Sequence, residues 1–126
     1  MTTNETFFFR DKTPFDQFKS DVLPALAKAR SGDIKIWCAA CSTGQEPYSL
    51  AMVMDDLIKD FPGKRYYGIT ATDISLPALS KAREGVYSVR KLERIEERFR
   101  QRYFEPVERG RCRVVPRLKD RVCFAQ

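Results

Sequence analysis

Two carboxylates stand where this chain would meet a ligand. Glu46 follows the turn in Ile34 to Met54, IKIWCAACSTGQEPYSLAMVM, where an apolar strand breaks into small residues and one glycine and then enters an apolar helix. Little side chain lies between Ala39 and Gly44 to hold a ligand away, and Gly44 tolerates a positive φ that other residues resist. A carboxylate at the helix entrance accepts hydrogen bonds from a hydroxyl or an amine. It would repel a phosphate held against the same helix N-terminus, which argues against a dinucleotide pyrophosphate. Asp73, 29 residues beyond Gly44, ends the aromatic and β-branched run Arg65 to Ile74, RYYGITATDI. An acid near the end of the second strand of a βαβ unit faces ribose hydroxyls. A cofactor with hydroxyls and an amine but no phosphate suits both acids, and S-adenosylmethionine (SAM) is the obvious one.

The elements that must position these acids are legible from periodicity and caps. Thr13 caps a helix whose first turn holds Pro14 and Asp16, with Phe15, Phe18, Val22 and Leu26 on one side and Pro24 as a kink or break. Strand one is Lys35 to Cys38. Its helix runs from about Pro47 to Asp60 with Leu50, Val53, Met54, Leu57 and Ile58 inward, and Phe61-Pro62-Gly63 stops it. Ser75 caps a third helix through Arg83, ended by Gly85. In LERIEERFRQRYF, Leu92, Ile95, Phe99 and Tyr103 recur at helical spacing. The chain then turns at Glu108 to Gly110 into the short runs CRVV and RVCF, which read as a hairpin joined by PRLKD.

At 126 residues and 43% hydrophobic composition, one compact unit is expected. No apolar run approaches the roughly 20 residues needed to span a bilayer, and no basic-then-apolar leader opens the chain, so the expected location is cytoplasmic. Cys38 and Cys41 form a C-x-x-C. Without histidine or a second such pair, buried reduced thiols at a strand end are the better reading than zinc, and no metal is expected. Charge is uneven: residues 1–84 hold 11 Lys and Arg against 11 Asp and Glu, and residues 85–126 hold 12 against 6. Arginine-rich faces attract phosphate, but here glutamates are interleaved and no aromatic stacking platform is evident, so nucleic acid is set aside.

A third segment is the amino-terminal TTNETFFFR, in which Asn4, Thr6 and Arg10 alternate with or flank Phe7, Phe8 and Phe9. With Trp37 to Ser49, Ala71 to Ile74, and Arg102 to Phe104, the stretch Thr3 to Arg10 matches, in order and spacing, the motifs of one family. The chain closely resembles the CheR-type chemoreceptor methyltransferases, which move a methyl group from SAM to a glutamate side chain. The resemblance implies an α/β fold, a partial Rossmann-like class I SAM-methyltransferase domain, with a small β-subdomain near the C-terminus. Residues 1–84 would be the front half of the SAM-binding domain, and 85–126 a basic helix and small β-subdomain running back toward the sheet.

By the same resemblance, Asn4 and Thr6 line the methionine end of SAM or support Arg10, which would hold the incoming carboxylate in line. Glu46 would meet the cofactor's amino group or a nearby hydroxyl, Asp73 the ribose, and Gly44 the approaching ligand. Phe7, Phe8, Phe9 and Trp37 are expected in the core. The family's receptors present glutamate-rich helices, and a basic 85–126 face would speed encounter and orient docking. Complete members carry a helical domain before, and half a sheet after, the matched region, so the chain is expected to be a piece of one. The alternative function is then a SAM-binding or receptor-docking module without turnover. An exposed sheet edge leads to the further expectation of dimerisation by strand completion.

Overall fold

The computed structural model describes residues 32–60 and 65–126, together with Asp16 and Ser20, both helical in conformation and exposed. Asp16 lies in the first turn of the helix expected from Thr13. The rest of that helix, the 1–10 segment with Asn4, Thr6, Arg10 and its three phenylalanines, and the Phe61-Pro62-Gly63 stop lie outside the described residues.

The first layer is a parallel sheet in the order β1 (Gly32–Ala39), β2 (Arg65–Thr72), β6 (Val122–Ala125). β1 and β2 pair without a bulge from Gly32↔Arg65 to Ala39↔Thr72, and Thr72 is in register with Ala125. The carboxyl ends of all three strands therefore finish in one row. Helix α1 (Gln45–Ile58) crosses from β1 to β2, and α2 (Leu76–Glu84) follows β2. α1 buries Val53, Met54 and Leu57 as expected, leaves the expected Leu50 and Ile58 partly buried against the core, and buries Tyr48, Ala51 and Met52 as well. Ser75 caps α2 by accepting from the Ala78 amide at 3.3 Å, and Gly85 ends it at φ 66°, both as expected.

Alternation along the strands sends Ile36 and Cys38 of β1, Tyr67, Ile69 and Ala71 of β2, and Val122 and Phe124 of β6 into the core. Trp37 takes the opposite face and is 71% exposed, its Nε1 donating to Thr72 Oγ1 at 3.2 Å. Its expected core position is thus corrected. With a period of two, a tryptophan between two inward residues must point outward, however apolar the run around it.

The second layer is a small antiparallel sheet in the order β3 (Val86–Ser88), β5 (Arg111–Val114), β4 (Phe104–Glu108). A 3₁₀ turn at Val89–Leu92 and the short helix α3 (Glu97–Tyr103) lie between β3 and β4. Leu92, Ile95, Phe99 and Tyr103 are all buried, yet the helix expected to contain them begins only at Glu97. The spacing reported the buried side correctly but not the backbone beneath it.

The expected hairpin of CRVV with RVCF is also overturned. The linker forms helix α4 (Pro116–Lys119), with proline in the first turn where its missing N–H costs nothing. β5 pairs with β4 across the Glu108–Gly110 turn, and β6 pairs parallel with β2. An isolated two-stranded hairpin is marginal in water, whereas joining the first sheet buries Val122 and Phe124.

Acids on α1 clamp the two layers together. Asp55 accepts from Tyr103 Oη at 2.8 Å, Tyr67 Oη at 3.3 Å and Arg117 at 3.4 Å. Asp56 pairs with Lys59 at 2.8 Å and Arg98 at 3.0 Å. Partial burial pushes the Asp56 carboxyl up, but hydrogen bonds from Lys59 and Arg98 outweigh it and hold the group below its ordinary value. Much of the basic surplus is therefore engaged in the fold: Arg113 bonds Glu105, Arg111 bonds Glu108, and Arg121 lies over Tyr66 and Tyr67. Among the described residues no helix is long and apolar enough to cross a membrane.

Candidate functional site

The row of strand ends opens into a cleft of about 470 Å³ lined by Ala40, Thr72, Asp73, Ile74 and Gln126. In an open α/β sheet this is the ligand position, because loops leaving the carboxyl ends of parallel strands diverge there. Asp73 supplies the cleft's carboxylate. Its Oδ2 accepts from the Ser42 amide at 2.8 Å and its Oδ1 from the Ser75 amide at 2.8 Å. Asp73 therefore closes a turn before α2 and holds the β1–α1 loop. Each oxygen retains a second lone-pair direction for a hydroxyl. Ile74, next to it, is 92% exposed and offers an apolar ledge at the rim. Ile74, Ala40, Thr72 and Gln126 were not picked out from the sequence. Only the shared register of three strands would have signalled them.

The loop itself is strained. Ala40 at φ 56° and Ser42 at φ 51° take left-handed conformations beside Gly44 at φ 99°. For L-residues these cost about 1–2 kcal/mol each and persist only where neighbours over-determine them. The ties are visible: the Cys41 amide donates to the Thr72 carbonyl at 2.9 Å, Ser42 to Asp73, and Tyr87 Oη to the Thr43 carbonyl at 2.6 Å. Burial first, then the neighbouring Tyr48 and Cys41, pushes the Tyr87 phenol well above its usual range, so the hydroxyl remains a donor throughout the physiological range.

Gly44 needs its hydrogen side chain for packing. A Cβ there would lie 2.8 Å from Tyr87 Oη and 3.0 Å from Ala82 Cβ. The structure thus gives Gly44 a reason to be glycine that is independent of any ligand. Glu46 is exposed in the first turn of α1, where the helix dipole favours an anion. Both acids lie close enough to the Cys41 thiol for their charges to raise it, but of the two only Asp73 is among the described residues that line the cleft. Asn4, Thr6 and Arg10 lie outside the described residues, so the structure does not bring them to this cleft or keep them from it.

Cys38 and Cys41 are buried and unbridged, as expected of thiols at a strand end. Among the described residues, no group of histidine, cysteine and acid side chains is arranged to hold a metal ion. Burial, with Glu46 second, pushes Cys38 from 9.0 up to about 12. Burial, with Asp73 second, pushes Cys41 from 9.0 up to about 11. Raised folded values mean that the protonated thiols' contribution to stability is intact below about pH 9. It is lost as the pH climbs through the folded values. Iodoacetamide at pH 8 is accordingly expected to modify exposed Cys123 while sparing Cys38 and Cys41, as read by peptide mass spectrometry. Equal rates at all three would show that the strand end opens.

A sequence model of the family described as CheR methyltransferase, SAM binding domain, matches residues 4–126. The chain is 45% identical over 128 residues to chemotaxis protein methyltransferase 1 of Pseudomonas aeruginosa, covering 98% of this chain and 47% of that protein. It is 40% identical to chemotaxis protein methyltransferase Cher2 of Pseudomonas putida, covering 98% and 46%. To a chemotaxis protein methyltransferase of Listeria monocytogenes it is 37% identical, covering 98% and 45%. The chain spans about half the length of the curated relatives it matches. A cleft at the strand ends with an acid after β2, an acid opening α1, and a match across almost every residue agree with one another: the chain belongs to the CheR methyltransferase SAM-binding domain family.

Proposed function

We propose that this chain takes part in transferring a methyl group from SAM to glutamate side chains of chemoreceptors. The observation that carries the reading is Asp73, whose carboxylate lines the cleft at the aligned ends of β1, β2 and β6. The residues present suit the cofactor: an acid for ribose hydroxyls, an exposed isoleucine beside it for a flat base, and a second acid, Glu46, for an amine. Among the described residues that line the cleft none is basic. When bound, SAM supplies a methyl group on a good sulfonium leaving group. A carboxylate acceptor is already ionised near neutral pH, so the protein's task is to orient it and exclude water. Arg10 is our candidate for holding that carboxylate, with Asn4 and Thr6 as candidates to line the methionine end of SAM or support Arg10.

Residues 1–84 then form the front of the cofactor-binding unit, and 85–126 carry the partner surface before returning to the cofactor sheet at β6. Arg90, Lys91, Arg100 and Arg109 are exposed and enter none of the ion pairs described here, which favours an acidic, glutamate-rich helix as partner over a neutral one. The place of action is the cytoplasmic side of the receptor. β1 and β6 are the outer strands of the described first sheet, which supports self-association by strand pairing.

Calorimetric titration with SAM and with S-adenosylhomocysteine (SAH) is expected to show micromolar binding, and light scattering on the same sample to show a dimer. Absence of heat with either ligand would overturn the cofactor reading, and a clean monomer the self-association. Binding without methyl transfer to an acidic receptor helix would favour the second reading, a docking module.

A further inference from the structure

We propose that Tyr87 is a positioning residue for the cofactor loop, the point at which the small antiparallel sheet holds the β1–α1 turn in its binding shape. The proposal rests on the cofactor reading of the cleft. Tyr87 sits in the middle of β3, opposite Cys112 of β5. Its ring is buried and meets Tyr48 edge-on at 6.3 Å. From there the hydroxyl reaches across to the first sheet's loop and donates to the Thr43 carbonyl at 2.6 Å.

Thr43 is placed between two anchored neighbours. On one side the Ser42 amide is held by Asp73; on the other, Gly44 is wedged against Ala82 and the Tyr87 hydroxyl itself. The loop is thus gripped from β2 by a carboxylate and from β3 by a phenol. Ala40 and Ser42, both at positive φ, lie in the stretch that these grips hold. Without the second grip, left-handed backbone at non-glycine residues has less to keep it from relaxing. Ala40 lines the cleft, so relaxation there reshapes the wall beside Asp73.

The consequence reaches beyond one hydrogen bond. β3 belongs to the sheet whose turn region carries Arg90, Lys91 and Arg109, the exposed cations of the proposed partner surface. The Val89 amide donates to the Gly110 carbonyl at 2.9 Å, so these cations share one end of that sheet. Tyr87 therefore connects the docking sheet to the cofactor loop by a single side chain. A partner that shifts β3 changes cofactor affinity, and by reciprocity the cofactor changes partner affinity.

Tyr48 provides the control. It is likewise buried and its hydroxyl makes a matched bond to a carbonyl, that of Ala82 at 2.7 Å, but it grips α2 instead of the loop. Tyr87→Phe and Tyr48→Phe are expected to lower the melting temperature of the full chain by similar amounts. Only Tyr87→Phe is expected to weaken SAH, by about tenfold, against less than about twofold for Tyr48→Phe. Amide hydrogen exchange should quicken at Ser42 to Gln45 in Tyr87→Phe alone.

Unchanged SAH affinity in Tyr87→Phe, or equal weakening in both variants, would overturn the proposal. If the parent chain binds no SAH, the cofactor reading fails by itself. The exchange experiment then decides the grip: faster loop exchange confined to Tyr87→Phe upholds it, and unchanged exchange refutes it.

Discussion

Gly44→Ala is expected to cost about 3 kcal/mol of folding stability, the largest effect of any single methyl group added to this site. Two independent penalties add. At φ 99° an L-residue pays about 1–2 kcal/mol for left-handed backbone. The new Cβ would also fall 2.8 Å from Tyr87 Oη and 3.0 Å from Ala82 Cβ, an overpacking that typically costs about 1–3 kcal/mol. Neither neighbour retreats easily, since the Tyr87 hydroxyl is bonded to Thr43 and Ala82 is fully buried in the last turn of α2. Urea unfolding of the two proteins measures the difference. A loss below about 1 kcal/mol would mean that the loop repacks and that its left-handed shape is not enforced by α2 and β3.

Asp73→Ala is expected to reduce SAH affinity by about a hundredfold while lowering stability by about 2 kcal/mol. The stability term comes from two backbone amides, Ser42 and Ser75, that lose charged acceptors at 2.8 Å. The affinity term combines loosening of the loop with loss of an acceptor for ribose hydroxyls. An SAH analogue lacking those hydroxyls separates them: if Asp73 touches the ribose, the losses from mutation and from ligand trimming do not add. Additive losses would make Asp73 a latch and nothing more. Asp73→Asn should recover little. An amide offers one acceptor oxygen and turns an N–H toward one of the two donors that the carboxylate now satisfies.

These two positions also show where reading along the chain reached and where it stopped. That Gly44 takes a positive φ and that Asp73 ends the second strand were both legible. Yet the reason for glycine lies in Ala82 and Tyr87, nearly forty residues and more away in sequence, and no local pattern signals their approach. Likewise the turn-forming role of Asp73 toward Ser75 is local, while its bond to Ser42 depends on β1 and β2 lying in register.

The same division runs through the fold. The β1–α1–β2 unit, the Ser75 cap, the Gly85 stop and the acid at the strand end rest on periodicity and capping within a few residues, and these local preferences agree with the final structure. Family membership was equally readable, because its motifs are short runs of fixed spacing. What the chain order could not convey is which strand pairs with which, and which face is covered. RVCF has the alternation of a strand in any sheet. It joins β2 in place of the expected hairpin because two inward residues, Val122 and Phe124, are buried there. Trp37 is apolar in type but exposed in place, since its direction follows the register of β1 against the helices and not its own hydrophobicity. Strand pairing and burial are settled by free energy summed over contacts between distant segments, and that sum exists only once the layers have packed.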